Sequence, residues 1–154
     1  MIKQAAGTDC FVCGRKNDFG LKMEFYFDED GVSVSHVVIP EQYQGYPGMV
    51  HGGVIAAILD EVSGRAFSEQ GDHFMVTSEI NVRYRHPVPV NTPLTVKGFR
   101  VRRHGRVAYG KAEIRDETGT LLAEANGVFV DIPEDKLKEM KPEQFGWRVY
   151  PDEN

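Results

Sequence analysis

The chain has 154 residues, 41% hydrophobic and 27% charged, and its 18 Lys and Arg against 23 Asp and Glu leave a formal net charge of −5. That length suits one domain, and an acidic chain without a recognition motif argues against nucleic acid as a partner. No apolar run approaches the ~20 residues of a membrane span, and Met1-Ile2-Lys3-Gln4 opens no secretory h-region, so the expected location is the cytoplasm, with no membrane partner and with Cys10 and Cys13 reduced.

Residues 1–20 read as an irregular leader, broken by Gly7, Gly14 and Gly20. Its Cys10 and Cys13 have the spacing of half a zinc site or of a redox pair. No second CxxC and no thioredoxin-like βαβ context accompany them, so buried or loop-ordering thiols are expected, and no metal. Residues 21–27 and 32–39 read as strands joined by the hairpin signal Asp28-Glu29-Asp30-Gly31. A Gly- and Pro-rich loop covers 40–49, and the pattern predicts a helix from Gly52 to Gln70 that Gly71 ends. Residues 77–90 alternate, with Ser78, Ile80, Val82 and Tyr84 on one face and Asn81, Arg83 and Arg85 on the other. Residues 94–103 and 106–115 form a hairpin across His104-Gly105, and Asp116-Glu117-Thr118-Gly119 leads into a strand over 120–131. Residues 132–154 read as a polar tail with a short helix around 134–140, in which Trp147 and Tyr150 pack rather than bind.

Two strands, one long helix and four strands with short connections imply antiparallel pairing. Val54 to Leu59 are apolar on every side of the helix, which must therefore be enclosed. The economical solution is an α+β fold over residues 21–131, a curved antiparallel β-sheet wrapped around one long central helix. Charge is segregated on this frame. From Ile80 to Ala112 there are eight Lys or Arg and no Asp or Glu, so that window carries +8 and the remainder −13. Such a window suits a partner with phosphate groups, or else a solvated sheet face.

The run His51-Gly52-Gly53, six apolar residues and then Asp60 carries the most chemistry. Paired glycines allow a tight turn, and the N–H groups that open a helix can face a ligand oxygen. Asp60 falls about two and a half turns into that helix, where a carboxylate is costly unless paired or working. The combination reads as an oxyanion-binding turn with a buried acid or base, suited to acyl hydrolysis. A purely structural Asp60 would instead cap the helix or pair with Arg65, and His51 can equally serve only to shape its loop.

The stretch Gln44-Gly45-Tyr46-Pro47-Gly48-Met49-Val50-His51-Gly52-Gly53, with Asp60 behind it and the leader Cys10-Phe11-Val12-Cys13-Gly14 before Asn17, Gly20 and Leu21, resembles the hotdog-fold thioesterases, in particular the phenylacetate-pathway and THEM-like acyl-CoA thioesterases. The resemblance implies a hotdog fold and hydrolysis of an acyl-CoA or aryl-CoA thioester, with no cofactor. It assigns Asp60 the role of catalytic carboxylate, Gly52 the backbone N–H that polarises the carbonyl, and His51 the shaping of the loop near the thioester. Ser78 matches a hydroxyl that helps to hold the water or the carboxylate. Gly53 belongs to the substrate-binding turn, and Gln44 is the candidate for a polar side chain before the motif, although Gly45 occupies the expected spacing. The resemblance also implies a homodimer, or a tetramer, with Asp60 of one subunit opposing Gly52 of the other. Arg83, Arg85 and Arg103, with Arg102 and Arg106 nearby, are candidates for the phosphates of coenzyme A.

The rival reading is a non-catalytic acyl-CoA or acyl-carrier binding protein on the same fold. A serine esterase is disfavoured because no G-x-S-x-G elbow is present. Tyr43, Tyr46, Phe67 and Phe74 suit either an acyl pocket or an interface.

Overall fold

The computed structural model describes residues 1–68 and 74–152. Its elements are β1 (Ile2–Lys3), β2 (Tyr26–Phe27), β3 (Ser33–Val38), α1 (Gly52–Arg65), β4 (Met75–Tyr84), β5 (Pro93–His104), β6 (Val107–Arg115), β7 (Leu121–Asp131) and α2 (Glu134–Met140). All seven strands join one antiparallel sheet in the order β1-β2-β3-β5-β6-β7-β4. β5, β6 and β7 follow one another through short turns and pair as neighbours. β4 does not join β3 or β5, its neighbours in the chain; the chain crosses by α1 to the far side and β4 pairs with β7 as an edge. Bulges at Arg100/Arg102, Thr77/Glu79 and Ile114/Arg115 bend the sheet around the helix. This is the curved sheet on one long helix that the pattern of elements predicts.

The helix lies on the sheet through Ile55, Ile58, Leu59 and Val62, which meet Val96, Ala112, Ile114, Ala123 and Ala125 in one buried cluster. Small residues in register make that approach close. Gly98 pairs with Ala112 and Ala112 with Ala125, while Gly110 pairs with Gly127. A Cβ added at Gly98 would stand 2.0 Å from the Val62 carbonyl oxygen, and one at Gly110 would stand 2.9 Å from Ser63 Oγ. The helix is enclosed on its sheet side only, however. His51 and Gly53 are exposed and Asp60 and Glu61 half-buried, so the all-round burial expected for α1 is not met within one chain.

Several boundaries differ from the sequence reading, for local reasons. Only Tyr26–Phe27 of the predicted 21–27 strand pairs with β3, because the leader holds the earlier residues: Leu21 N–H donates to Phe11 O and Met23 N–H to Val12 O. The leader is correspondingly ordered, with β1 on β2 and with Val12 and Cys13 buried in the core. β4 stops at Tyr84 rather than residue 90, since Pro87 and Pro89 offer no N–H to a ladder. α1 ends at Arg65, and the backbone then turns through Phe67 N–H to Gly64 O and Ser68 N–H to Arg65 O. Gln70 and Gly71, where the helix was expected to end, lie outside the described residues. The tail returns to the body: Ala6 bridges Arg148, and Trp147 packs on the core cluster.

Replacing Gly98 by Ala forces its Cβ against backbone, not against a movable side-chain end. Gly98→Ala is expected to destabilise the protein by about 1–3 kcal/mol, as overpacking does. Urea unfolding checks this, and an unchanged midpoint would show that α1 does not rest on this contact.

Candidate active site

The loop before α1 is held at several points by its own backbone. Gly45 N–H donates to Met49 O, Val50 N–H to Val88 O and His51 N–H to Tyr43 O. Gln44 Oε1 accepts from Gly48 N–H at 3.0 Å, so its side chain serves the loop, and Gly45 rather than Gln44 lines the neighbouring hollow. His51 is the N-cap, with Nδ1 accepting from Gly53 N–H at 2.9 Å and its carbonyl accepting from Val54 and Ile55 N–H. The remaining first-turn donor, Gly52 N–H, has no acceptor among the described residues. Helix starts of this kind concentrate positive potential, here on one open N–H. Tyr84 Oη donates to Gly52 O at 2.7 Å and fixes the first turn from β4.

Gly52 opens into a cavity of about 710 Å³ shared with Tyr46, Ile55, Tyr84 and Arg85. Asp60 faces a different one, of about 460 Å³, with Thr77, Phe74, Met75 and Phe129 among its walls. The two groups are eight residues apart on one helix, roughly 12 Å along its axis. One chain therefore does not bring the open N–H and the carboxylate to a common carbonyl.

Adjacent acids at the second cavity have separate fates. Glu61 pairs with buried Arg65, whose Nε stands 2.7 Å from Glu61 Oε1 and whose Nη1 donates to Ala5 O at 2.8 Å. Asp60 has no cation among the described residues; its Oδ1 accepts from Thr77 Oγ1 at 2.7 Å. Burial pushes the Asp60 carboxyl above the ordinary aspartate value, the Glu61 charge pushes the same way, and the Thr77 hydrogen bond opposes them. A carboxylate so placed is a stronger base than one in water. The bland alternative of an Asp60–Arg65 pair is thereby removed.

Thr77, not Ser78, supplies the hydroxyl at Asp60. The alternation of Ile80, Val82 and Tyr84 points to Ser78, but the bulge between Thr77 and Glu79 adds one residue and reverses the phase. Ser78 is the extra residue and is exposed. Sequence reasoning missed Thr77 and assigned no role to Tyr84; two consecutive hydroxyls at residues 77 and 78 were the available signal for the first. Among the arginines, Arg85 lines the Gly52 cavity and pairs with Glu124 at 2.8 Å, and Arg83 stands opposite Glu124 in the ladder. Arg103 lies at the other end of the sheet, where it pairs with Asp131. Cys10 is lowered to about 6, chiefly by a hydrogen bond from Cys13, whose own thiol is raised by that bond and by burial.

Comparison with known proteins identifies the family and the fold. The family model described as the thioesterase superfamily matches residues 47–123, half of the chain. Acyl-coenzyme A thioesterase THEM4 of Mus musculus is 31% identical over 94 residues, 60% of this chain and 40% of that protein. The chain thus spans well under half the length of such curated relatives. A solved thioesterase superfamily protein superposes with a TM-score of 0.73 at 33% identity, covering 79% of this chain and 62% of the other. The E. coli PaaI protein from the phenylacetic acid degradation operon has the same fold, with a TM-score of 0.66 at 18% identity over 73% of this chain and 81% of its own. None of the described helices is long and apolar enough to cross a membrane.

By NMR of labelled aspartate, the Asp60 carboxyl is expected to titrate above the ordinary value, and higher still in Thr77→Val, which removes the opposing hydrogen bond. The folded state then binds this proton more tightly than the unfolded chain. Stability from this group is present below the unfolded value and lost as pH rises through the raised one. Asp60→Asn should accordingly melt no lower than the wild type at neutral pH. A titration at or below the ordinary value would contradict the assignment.

Proposed function

The chain belongs to the thioesterase superfamily, and on that premise we propose that it hydrolyses an acyl- or aryl-CoA thioester to the free acid and coenzyme A. The observation that carries this reading is the pairing, on one helix, of an open N–H at Gly52 with a half-buried, cation-free carboxylate at Asp60. Asp60 takes a proton from water, or attacks the carbonyl itself; either way a new C–O bond forms and the carbonyl oxygen gains negative charge. Gly52 N–H receives that charge. The C–S bond then breaks and the thiolate of coenzyme A leaves. Where Asp60 acted as base, it returns the water's proton to that thiolate. Where Asp60 attacked, a water then hydrolyses the Asp60–acyl anhydride, freeing the acid and supplying the thiolate's proton. Thr77 orients Asp60, His51 and Gly53 hold the turn, and Arg85 with Arg83 meets coenzyme A phosphates at the mouth of the Gly52 cavity. Arg103, which does not line the Gly52 cavity of its own chain, is the weaker candidate.

The separation of Gly52 and Asp60 supports a dimer as the active unit. β4 is an edge strand, with Val76 54% and Tyr84 52% exposed, and such an edge is a template for pairing. Its Tyr84 end borders the Gly52 cavity and its Thr77 end borders the Asp60 cavity. Antiparallel pairing of β4 with its copy across a twofold axis sets each Thr77 end beside the other subunit's Tyr84 end. Asp60 of one subunit then faces Gly52 of the other. A tetramer is a further pairing of such dimers.

The His51 backbone at φ −59, ψ 136 suits a residue before proline, and proline fits the first helical position while removing its N–H. Gly52→Pro should fold and lose about 10²–10³ in turnover of an acyl-CoA panel, and Gly52→Ala, which keeps the N–H, far less. Asp60→Asn should lose at least ~100-fold. Free thiol release measures both. Intact acyl-CoA retained with saturable binding would favour the binding-protein reading instead.

Mixing the two inactive variants tests the shared site directly. A mixed dimer has one site with both defects and one with neither. Co-refolded Asp60→Asn and Gly52→Pro should recover about a quarter of wild-type turnover, because half the dimers are mixed and each keeps one of two sites. No recovery from a mixture shown to contain mixed dimers would place both groups of a site in one chain.

A further inference from the structure

Cys10, Cys13 and Glu61 lie outside the chemistry proposed for Asp60, yet they converge. Their ligating atoms stand within 4.8 Å of one another, with Cys10 Sγ already 3.9 Å from Glu61 Oε2. We propose that these three side chains bind a soft divalent cation of the zinc class, with the fourth coordination position open to the cavity that Asp60 also lines.

Three observations support the site. The first is the turn carrying the sulfurs. Cys10 Sγ accepts from both Val12 N–H and Cys13 N–H at 3.4 Å, the arrangement that holds a thiolate in place, and Gly14 N–H closes the turn on Cys10 O at 2.8 Å. A Cβ at Gly14 would lie 2.3 Å from that oxygen, so the turn requires glycine there. The second is the third ligand, which the CxxC spacing did not disclose because it comes from α1. Arg65 holds Glu61 by Oε1 and leaves Oε2 on the cysteine side, as a partner beyond the ligand shell would.

The third is charge and access. Metal binding displaces the two thiol protons to solvent and forms two S–metal bonds and one O–metal bond. Two thiolates and Glu61 then carry three negative charges against the single positive charge of Arg65, and a divalent cation brings the buried set to neutrality. A tetrahedral ion with S at ~2.3 Å and O at ~2.0–2.2 Å needs ligand atoms roughly 3.6–3.8 Å apart, so a contraction of at most about 1.2 Å closes the site. The cavity lined by Cys10, Cys13 and Glu61 supplies an entry path.

The test uses the full-length protein reduced with a phosphine, with two free thiols per chain confirmed by a thiol-reactive dye, then titrated with Co²⁺ and back-titrated with Zn²⁺. The expected result is a thiolate-to-cobalt charge-transfer band saturating at one equivalent and abolished by one equivalent of Zn²⁺. Cys10→Ser should lose the band. Glu61→Gln should keep two-thiolate absorption but bind at least ~10-fold more weakly, since removal of even an outer-shell partner costs that much. No band in the wild type with both thiols free overturns the site, whether or not any variant folds. A band unchanged in folded Cys10→Ser, or an affinity unchanged in folded Glu61→Gln, overturns this ligand set.

Discussion

Everything placed by α1 depends on how closely its backbone can approach the sheet. Val62 O lies where a Cβ of residue 98 would be, so the helix rests on Gly98 and on the small residues registered beside it. Interiors pack at crystal density and deform little. A contact between backbone and backbone is therefore a fixed point. From it the helix runs back to His51 and Gly52 at one end and on to Arg65 at the other. The N-cap, the open N–H, Asp60, Glu61 and Arg65 thus share one rigid body and one reference contact. Within one chain Gly52, Asp60, Glu61 and Arg65 do not sit on independent loops, and their relative positions are set by helical geometry.

Two neighbouring carboxylates on that body are separated in role by Arg65. The guanidinium is buried and stands over Phe25 at 4.4 Å, with Ala5 O and Glu61 as polar partners. An unpaired cation there would be strongly destabilising, so Glu61 is committed to it. Asp60, one residue earlier, points toward β4 and meets a hydroxyl instead of a charge. It is then raised by burial and by Glu61 together. A carboxylate near a neutral donor and a second acid is poised to exchange protons. Arg65 thus leaves Asp60 the cation-free acid of the two.

How much of this the sequence discloses follows from the range of the interactions. The helix start and the acid nine residues after His51 are local, and each is legible from residue type and spacing, whereas the cap made by His51 is seen only in the structure. The hairpin at Asp28 to Gly31 is local too: Asp28 Oδ1 accepts from Asp30 and Val32 N–H, and Gly31 has φ +74. The edge position of β4 is not local, since it is decided by which strand α1 leaves vacant. β1 is only two residues long, too short to show a period. The exchange of Ser78 for Thr77 is the instructive case. Alternation is read on the premise of an unbroken ladder, and a single bulge reverses it without any mark in composition. The grouping of Glu61 with Cys10 and Cys13 is hidden for the same reason as the edge strand, because it joins leader to helix across about 50 residues of chain.

The same edge strand connects assembly to chemistry. β4 contributes Thr77 to Asp60 at one end and Tyr84 to Gly52 at the other. Within one chain these two contacts hold each group toward a different cavity, and neither cavity contains both. In the proposed dimer, a twofold partner on β4 would superpose the two ends and complete both sites at once, so the strand that orients the reacting groups would also be the strand that recognises the copy. Pairing there would satisfy the free backbone of the edge and cover the open side of α1, where His51 and Gly53 are exposed. Desolvation by such a partner would raise the basicity of Asp60 and strengthen the open donor of Gly52, since both act more strongly with water excluded. On this reading the unpaired chain is protected from idle reactivity by geometry: its acid and its oxyanion donor are fully formed and about 12 Å apart.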